Sequence, residues 1–132
     1  MKTVSIVIPA YNEEATIKEI LERVRAWEGE GWTNEIIVVD DGSGDRTAEI
    51  ASQVSGVKVV RLEKNQGKGA AIRRGFGEAA GDIILVQDAD LEYDPADYKK
   101  LLQPIIDGRA DVVYGTRFKG GVGRVLYFWH YV

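Results

Sequence analysis

Four carboxylates crowd into one short stretch of this sequence. In "LVQDADLEYDP", residues 85–95, Asp88, Asp90, Glu92 and Asp94 recur at every second position directly after a run that favours extended backbone. Like charges this close repel, so they are either solvated turn residues or neighbours of a cation that a sequence does not display. Asp88 and Asp90 are two apart, so on an extended segment both point to one side, with Cα atoms roughly 7 Å apart. Glu92 joins them if the extended path continues. Convergent carboxylates suit a hard divalent cation such as Mg²⁺ or Mn²⁺, which takes oxygen ligands and keeps phosphate or water in its shell. Zinc is disfavoured, because the chain has no cysteine and His130 is its single histidine. The competing reading makes Asp88 a strand end, Asp90 a turn residue and Asp94 the N-cap of a helix that starts at Pro95. Asp94 reads as a cap in either case.

Three further polar stretches can do chemistry. "DDGSGD", residues 40–45, is rich in turn formers, and Asp45 is placed to cap a helix. Neighbouring residues at a strand end point to opposite sides, so one of Asp40 and Asp41 is expected to face a crevice. There it can accept hydrogen bonds from a nucleobase or ribose. "NQGKG", residues 65–69, offers glycine-permitted close approach, a helix N-terminus for an anion, and Lys68 beside it. Neither GxxxxGK[ST] nor GxGxxG occurs, which argues against a P-loop and a dinucleotide-binding site. Arg117, in "YGTRF", is a fixed cation that reads either as a phosphate contact or as half of a surface ion pair.

These residues need a scaffold, and the pattern between them supplies one. "TVSIVIP", "EIIVVDD", "VKVVRL", "DIILVQD" and "ADVVYGT" are short and rich in Val and Ile, and read as strands. Their nearly continuous apolar character predicts burial on both faces, as in a parallel sheet. Ile17, Ile20, Leu21, Val24 and Trp27 form one helical stripe, and residues 45–54 repeat it with Ala48, Ile50, Ala51 and Val54. After Gly67, the spacing of Ala71, Gly75 and Ala79 predicts a helix that lies close to a sheet. A fourth helix is expected from Pro95, with Pro104 ending or kinking it early. Alternating strands and helices give an α/β fold with right-handed crossovers and helices on both faces. Ligands bind such sheets beyond the carboxyl ends of the strands. All of the polar stretches above, and "PAYNEE" after the first strand, fall on that edge.

Length and composition set outer bounds. A chain of 132 residues, 45% hydrophobic and 29% charged, is one ordinary globular domain. Its formal charge of −4 gives no footprint for nucleic acid. No signal peptide and no apolar run near the ~20 residues of a membrane span is visible, and with no cysteine this fits a cytoplasmic setting. The aromatic ending "VLYFWHYV", with no polar tail, reads as a cut rather than an end.

Taken together, "VSIVIPAYNEE", "EIIVVDDGSGDRT", "NQGKGAAIRRG", "DADLEYDP" and "ADVVYGTRF" resemble, in that order, family 2 glycosyltransferases of the GT-A fold. Within the family they look most like the dolichyl-phosphate mannose and glucose synthase group, over roughly residues 3–118. The resemblance implies a Rossmann-like, mostly parallel sheet and inverting transfer of a hexose from a UDP- or GDP-sugar. The implied acceptor is a polyprenyl phosphate. Pro9, Tyr11, Glu13 and Asp41 would line the nucleoside pocket, with Gly69 beside it. Asp88 and Asp90 match the family's DxD element, which holds the Mg²⁺ or Mn²⁺ bound to the diphosphate. Glu92 stands where related synthases can carry Gln as a further metal contact. Arg117 matches a basic position suited to a phosphate of donor or acceptor.

The resemblance also implies that an acceptor-binding half lies beyond residue 118, so that residues 1–118 form the donor-binding core and 119–132 the start of that half. Two readings of the aromatic tail stay open: an amphipathic piece on a membrane surface, at the cytoplasmic face, or a helix docked on its own core or on a second copy in a homodimer. His130 reads as structural. A donor-binding module without turnover is the alternative to an active transferase. A phosphoacceptor signalling domain is a third reading, disfavoured because the acidic pair follows the second strand and "TRF" stands where a lysine belongs.

Overall fold

The computed structural model describes residues 2–27, 31–89, 112–116 and 125–130. Among these described residues the elements are, in chain order, β1 (Lys2–Ala10), α1 (Ile17–Ala26), β2 (Trp32–Asp40), α2 (Thr47–Ser52), β3 (Val57–Arg61), α3 (Lys68–Glu78), β4 (Ile83–Val86), β5 (Val112–Thr116) and β6 (Val125–His130). They build one sheet of order β3-β2-β1-β4-β6-β5. The β1–β2, β2–β3 and β1–β4 pairs are parallel. The segment expected to form a fourth helix from Asp94, including Pro104, lies outside the described residues.

The apolar runs of β1, β4 and the carboxyl half of β2 form strands because both faces are covered. At the sheet edge, β3 instead leaves Lys58 and Arg61 exposed and is not buried on both faces as expected. Along β1 the side chains alternate. Val4, Ile6 and Ile8 pack with Ile17, Ile20, Leu21 and Val24 of α1, Ala51 of α2, and Ile36 and Val38 of β2. Val7 turns the other way, to Ile37, Val39, Val60, Ile84 and Ala71 of α3. Thus α1 and α2 cover one face and α3 the other, as expected. Each fully buried Ile or Leu of the α1 stripe contributes about 1.5–3 kcal/mol by leaving water. The helix stops at Trp27, whose extended backbone (ψ 123°) breaks the repeat, and Asn34 Nδ2 donates to its carbonyl at 2.9 Å.

The small-residue stripe of α3 has a measurable purpose. A Cβ on Gly75 would stand 2.3 Å from Val7 Cγ1, so only a glycine lets this helix lie so near β1. Ala71 is fully buried on the same stripe, and Ala79 packs on that cluster just past the helix end.

The aromatic tail departs from expectation. Residues 125–130 are neither a docked helix nor a separate surface piece. They form β6, which pairs antiparallel with β4 (Ile84 opposite Trp129) and with β5 (Val113 opposite Phe128). The physical reason lies in both partners. Val, Leu, Tyr, Phe and Trp favour a pleated, half-buried surface, and β4, buried at all four positions, is too apolar to be left as an edge. β5 was expected from its sequence, but it reaches the parallel body through β6. Two successive antiparallel pairings give it the direction of β1–β4, so Thr116 lies at the same edge as their carboxyl ends. Among the described residues no helix is long and apolar enough to cross a membrane.

Gly75→Ala is expected to destabilise the fold by about 1–2 kcal/mol, because overpacking against a stiff valine outweighs the helix propensity gained. Gly77→Ala, on the same helix with nothing within 4 Å of the new methyl, should stabilise by about 0.5–1 kcal/mol. Urea unfolding of both variants checks the contrast.

Candidate functional site

The loops at the carboxyl ends of the strands are tied to one another by side chains answering backbone amides. After β1, "AYNEE" turns through Asn12 in the left-handed region (φ 52°), a conformation asparagine tolerates. Its amide donates to Ser43 Oγ at 2.9 Å, and its Oδ1 accepts the Gly44 amide at 3.0 Å. One residue on, the Glu13 amide donates to Thr47 Oγ1 at 2.9 Å. The two hydroxyls pass the interaction on: Ser43 donates to Asp40 Oδ1 and Thr47 to Asp45 Oδ1. Asp45 also accepts the Thr47 amide at 3.0 Å, but the N-cap position of α2 falls on Arg46, one residue after the Asp45 expected there from the sequence.

Asp40 and Asp41 divide as strand geometry requires. Asp40 is fully buried away from the cleft, with its Oδ2 3.6 Å from Arg61 Nε on the adjacent strand. Asp41 turns to the cleft side and organises the β3–α3 loop. Its carboxylate accepts the amides of Gln66 (2.8 Å) and Gly67 (2.9 Å) and the side-chain amide of Asn65 (3.0 Å). Three donors occupy most of the four or so lone-pair positions of a carboxylate. Gly42 makes this possible: a Cβ there would lie 2.4 Å from the backbone of Lys64 and Asn65, and its φ of 70° suits glycine.

Between these loops opens a cleft of about 230 Å³. Pro9, Tyr11, Glu13, Asp41 and Asp88, five residues expected from the sequence, all line it. Tyr11 stands at the rim, 48% exposed. Gly69 is not among the lining residues; Gly67, Lys68 and Ala71 present that part of α3 instead, and one residue along a helix turns about 100° away. Asp90, Glu92 and Arg117 lie outside the described residues. Asn65 and Ala89 also line the cleft and were not singled out by sequence reasoning, although "NQGKG" had marked the loop that carries Asn65.

Asp88 is the chemical centre of what is described. Its side chain is 6% exposed, and its charge is met by the Lys68 ammonium, which is 55% exposed and sits on the first residue of α3. An ammonium is held here by a carboxylate that has been taken out of water. Oxygen is the donor atom that Mg²⁺ and Mn²⁺ prefer. The N-terminus of α3 faces the same cleft, so its positive end and Lys68 favour an anion there. From the opposite side Thr16, the N-cap residue of α1, reaches the loop after β4: its hydroxyl donates to the Ala89 carbonyl at 3.0 Å.

The sequence model of "Glycosyl transferase family 2" matches residues 5–132. The chain belongs to glycosyl transferase family 2. As a family 2 chain it is 44% identical over 123 residues to a dolichol-phosphate mannosyltransferase of Pyrococcus furiosus, covering 89% of this chain and 34% of that protein. It is 39% identical over 125 residues to an undecaprenyl-phosphate 4-deoxy-4-formamido-L-arabinose transferase of Pectobacterium carotovorum, covering 89% and 37%. The family 2 chain therefore spans about a third of the length of these relatives. Among solved structures, a glucosyl-3-phosphoglycerate synthase of Mycobacterium tuberculosis, in complex with Mn²⁺, UDP and phosphoglyceric acid, superposes with a TM-score of 0.68. It is 35% identical, over 79% of this chain and 39% of that one. The fold is thus that of the GT-A transferases.

The Asp45 tie gives a pH-dependent prediction. Burial pushes its carboxyl up, but hydrogen bonds from the Thr47 hydroxyl and amide and from the Glu14 amide outweigh this, and its pKa lies below the ordinary 3.8. A folded-state pKa below the unfolded one stabilises the fold above the unfolded value, and the contribution is lost as pH falls through the folded value. Asp45→Asn should therefore be less stable than the parent near neutral pH, with the gap closing in strong acid. Urea unfolding as a function of pH measures it.

Proposed function

We propose that this chain is the donor-binding part of an inverting hexosyltransferase that moves a sugar from a UDP- or GDP-hexose to a polyprenyl phosphate. The observation that carries the reading is the buried Asp88 carboxylate, facing a cation across a cleft that also receives the N-terminus of α3. Supporting it are the two polyprenyl-phosphate-type transferases among its relatives, and a fold neighbour that holds Mn²⁺ and UDP.

In this reading the nucleoside lies between Pro9, Tyr11, Glu13 and the loop that Asp41 holds. The diphosphate meets Lys68 and the first amides of α3. Asp88, with Asp90 and Glu92, would hold Mg²⁺ or Mn²⁺, and Arg117 would meet a phosphate of donor or acceptor. The metal, when bound, acts as a Lewis acid toward the charge that grows on the leaving diphosphate. A lipid phosphate oxygen is already ionised, so the chain's residues have only to orient it; no general base is required. The elements that bind the acceptor belong to the remaining length of the relatives. A nucleotide-sugar donor and a lipid phosphate would meet at the cytoplasmic face of a membrane.

Calorimetry with UDP and with GDP, each with and without Mn²⁺, tests the donor site. Binding of one nucleotide should strengthen with Mn²⁺. Asp88→Ala should weaken that metal-dependent binding by at least the roughly 10–100-fold that losing an outer-shell partner costs, with circular dichroism unchanged. No nucleotide binding in the presence of Mn²⁺ would sink the reading. Donor hydrolysis or sugar transfer by this chain would separate an active enzyme from a binding module without turnover.

A further inference from the structure

Thr16 occupies the N-cap of α1 but does not cap it. A threonine there ordinarily accepts an amide of the first helical turn through its hydroxyl. Here no side-chain capping bond forms. The hydroxyl instead crosses to the loop after β4, 73 residues along the chain, and donates to the Ala89 carbonyl at 3.0 Å. Its other acceptor within reach, Glu13 Oε2, is 3.4 Å away, at the limit of a hydrogen bond. A hydroxyl carries one proton, and the shorter contact takes it. The bond holds a peptide that belongs to another element.

Which peptide it holds is the point. Ala89 is 3% exposed and lines the cleft beside Asp88. It separates Asp88 from Asp90 in the sequence. Holding the Ala89 carbonyl anchors the backbone one residue past Asp88. We infer that Thr16 is a positioning residue for the metal–diphosphate site: by anchoring the residue that follows Asp88, it sets where the Asp88 carboxylate stands in the cleft. This inference deepens the donor-site reading above and rests on it.

The test separates the hydroxyl from the methyl, and the metal-dependent part of binding from the rest. Affinities of the parent chain, Thr16→Val and Thr16→Ser for UDP and GDP are measured by calorimetry with and without Mn²⁺. Thr16→Val, which keeps the shape and removes the donor, should reduce the gain in affinity due to Mn²⁺ by about tenfold, the lower end for an outer-shell partner. Its metal-free affinity should stay within about twofold of the parent, a change under ~0.5 kcal/mol. Thr16→Ser should restore the Mn²⁺ response. An unchanged Mn²⁺ response in Thr16→Val overturns the inference while leaving the donor site standing. Equal loss with and without Mn²⁺ overturns it in favour of a merely structural tie, as does failure of the serine variant. A parent chain whose nucleotide affinity ignores Mn²⁺ overturns both the inference and the reading beneath it.

Discussion

A carboxylate removed from water must be answered by donors or by a cation, and that constraint organises the carboxyl edge of this sheet. Asp40, Asp41 and Asp88 are at most 4% exposed at the ends of β2 and β4. Leaving such a charge without its partner costs roughly 3–5 kcal/mol, a large share of a domain's margin of stability. Each is met differently. Asp40 takes the Ser43 hydroxyl and amide and faces Arg61. Asp41 takes the amides of the loop before α3. Asp88 takes a lysine that is half in solvent. The first two solutions are internal to the fold and hold loops in place. The third joins a buried anion to an exposed, mobile-chained cation inside a cleft, which is the arrangement a ligand can exchange.

The division of labour explains why a short chain can hold a well-shaped cleft. The loops after β1 and β2 are bound to each other through Ser43 and Thr47, and Asp41 binds the loop after β3. Three connections that would each be free on a polar sheet edge therefore behave as one wall. The opposite wall is the segment after β4, held by Asp88 to Lys68 and by Ala89 to Thr16. Glycines set the distances between these parts. Gly42 lets the second loop touch the third, and Gly75 brings α3 down onto Val7.

Much of this was legible from residue types. The Val- and Ile-rich runs specified β1–β4: burial on both faces explains β1, the carboxyl half of β2 and β4, while the edge strand β3 keeps the exposed Lys58 and Arg61. The stripe Ile17, Ile20, Leu21, Val24 specified α1 and the face it covers. Adjacent Asp40 and Asp41 had to diverge, and they do. What escaped was whatever depends on contacts between distant segments. Nothing local in "VLYFWHYV" says that it enters the sheet between β4 and β5, since the choice is made by the apolar edge that β4 would otherwise expose. Nothing local says that Thr16 bonds across 73 residues rather than to its own helix. Asn65 was similarly hidden, because its partner is fixed by a close approach that only the folded loops create.

The placement of β6 carries a consequence for how the chain assembles. At one flank of the sheet, chain order and strand order are reversed: β5 is made before β6 yet reaches the parallel body only through it. During synthesis the half built from β1–β4 can collapse on α1 and α3 while the nascent β5 has no neighbour to pair with. The flank of β4 stays uncovered until residues 125–130 leave the ribosome, so β6 slots inward between β4 and β5 rather than adding at the rim.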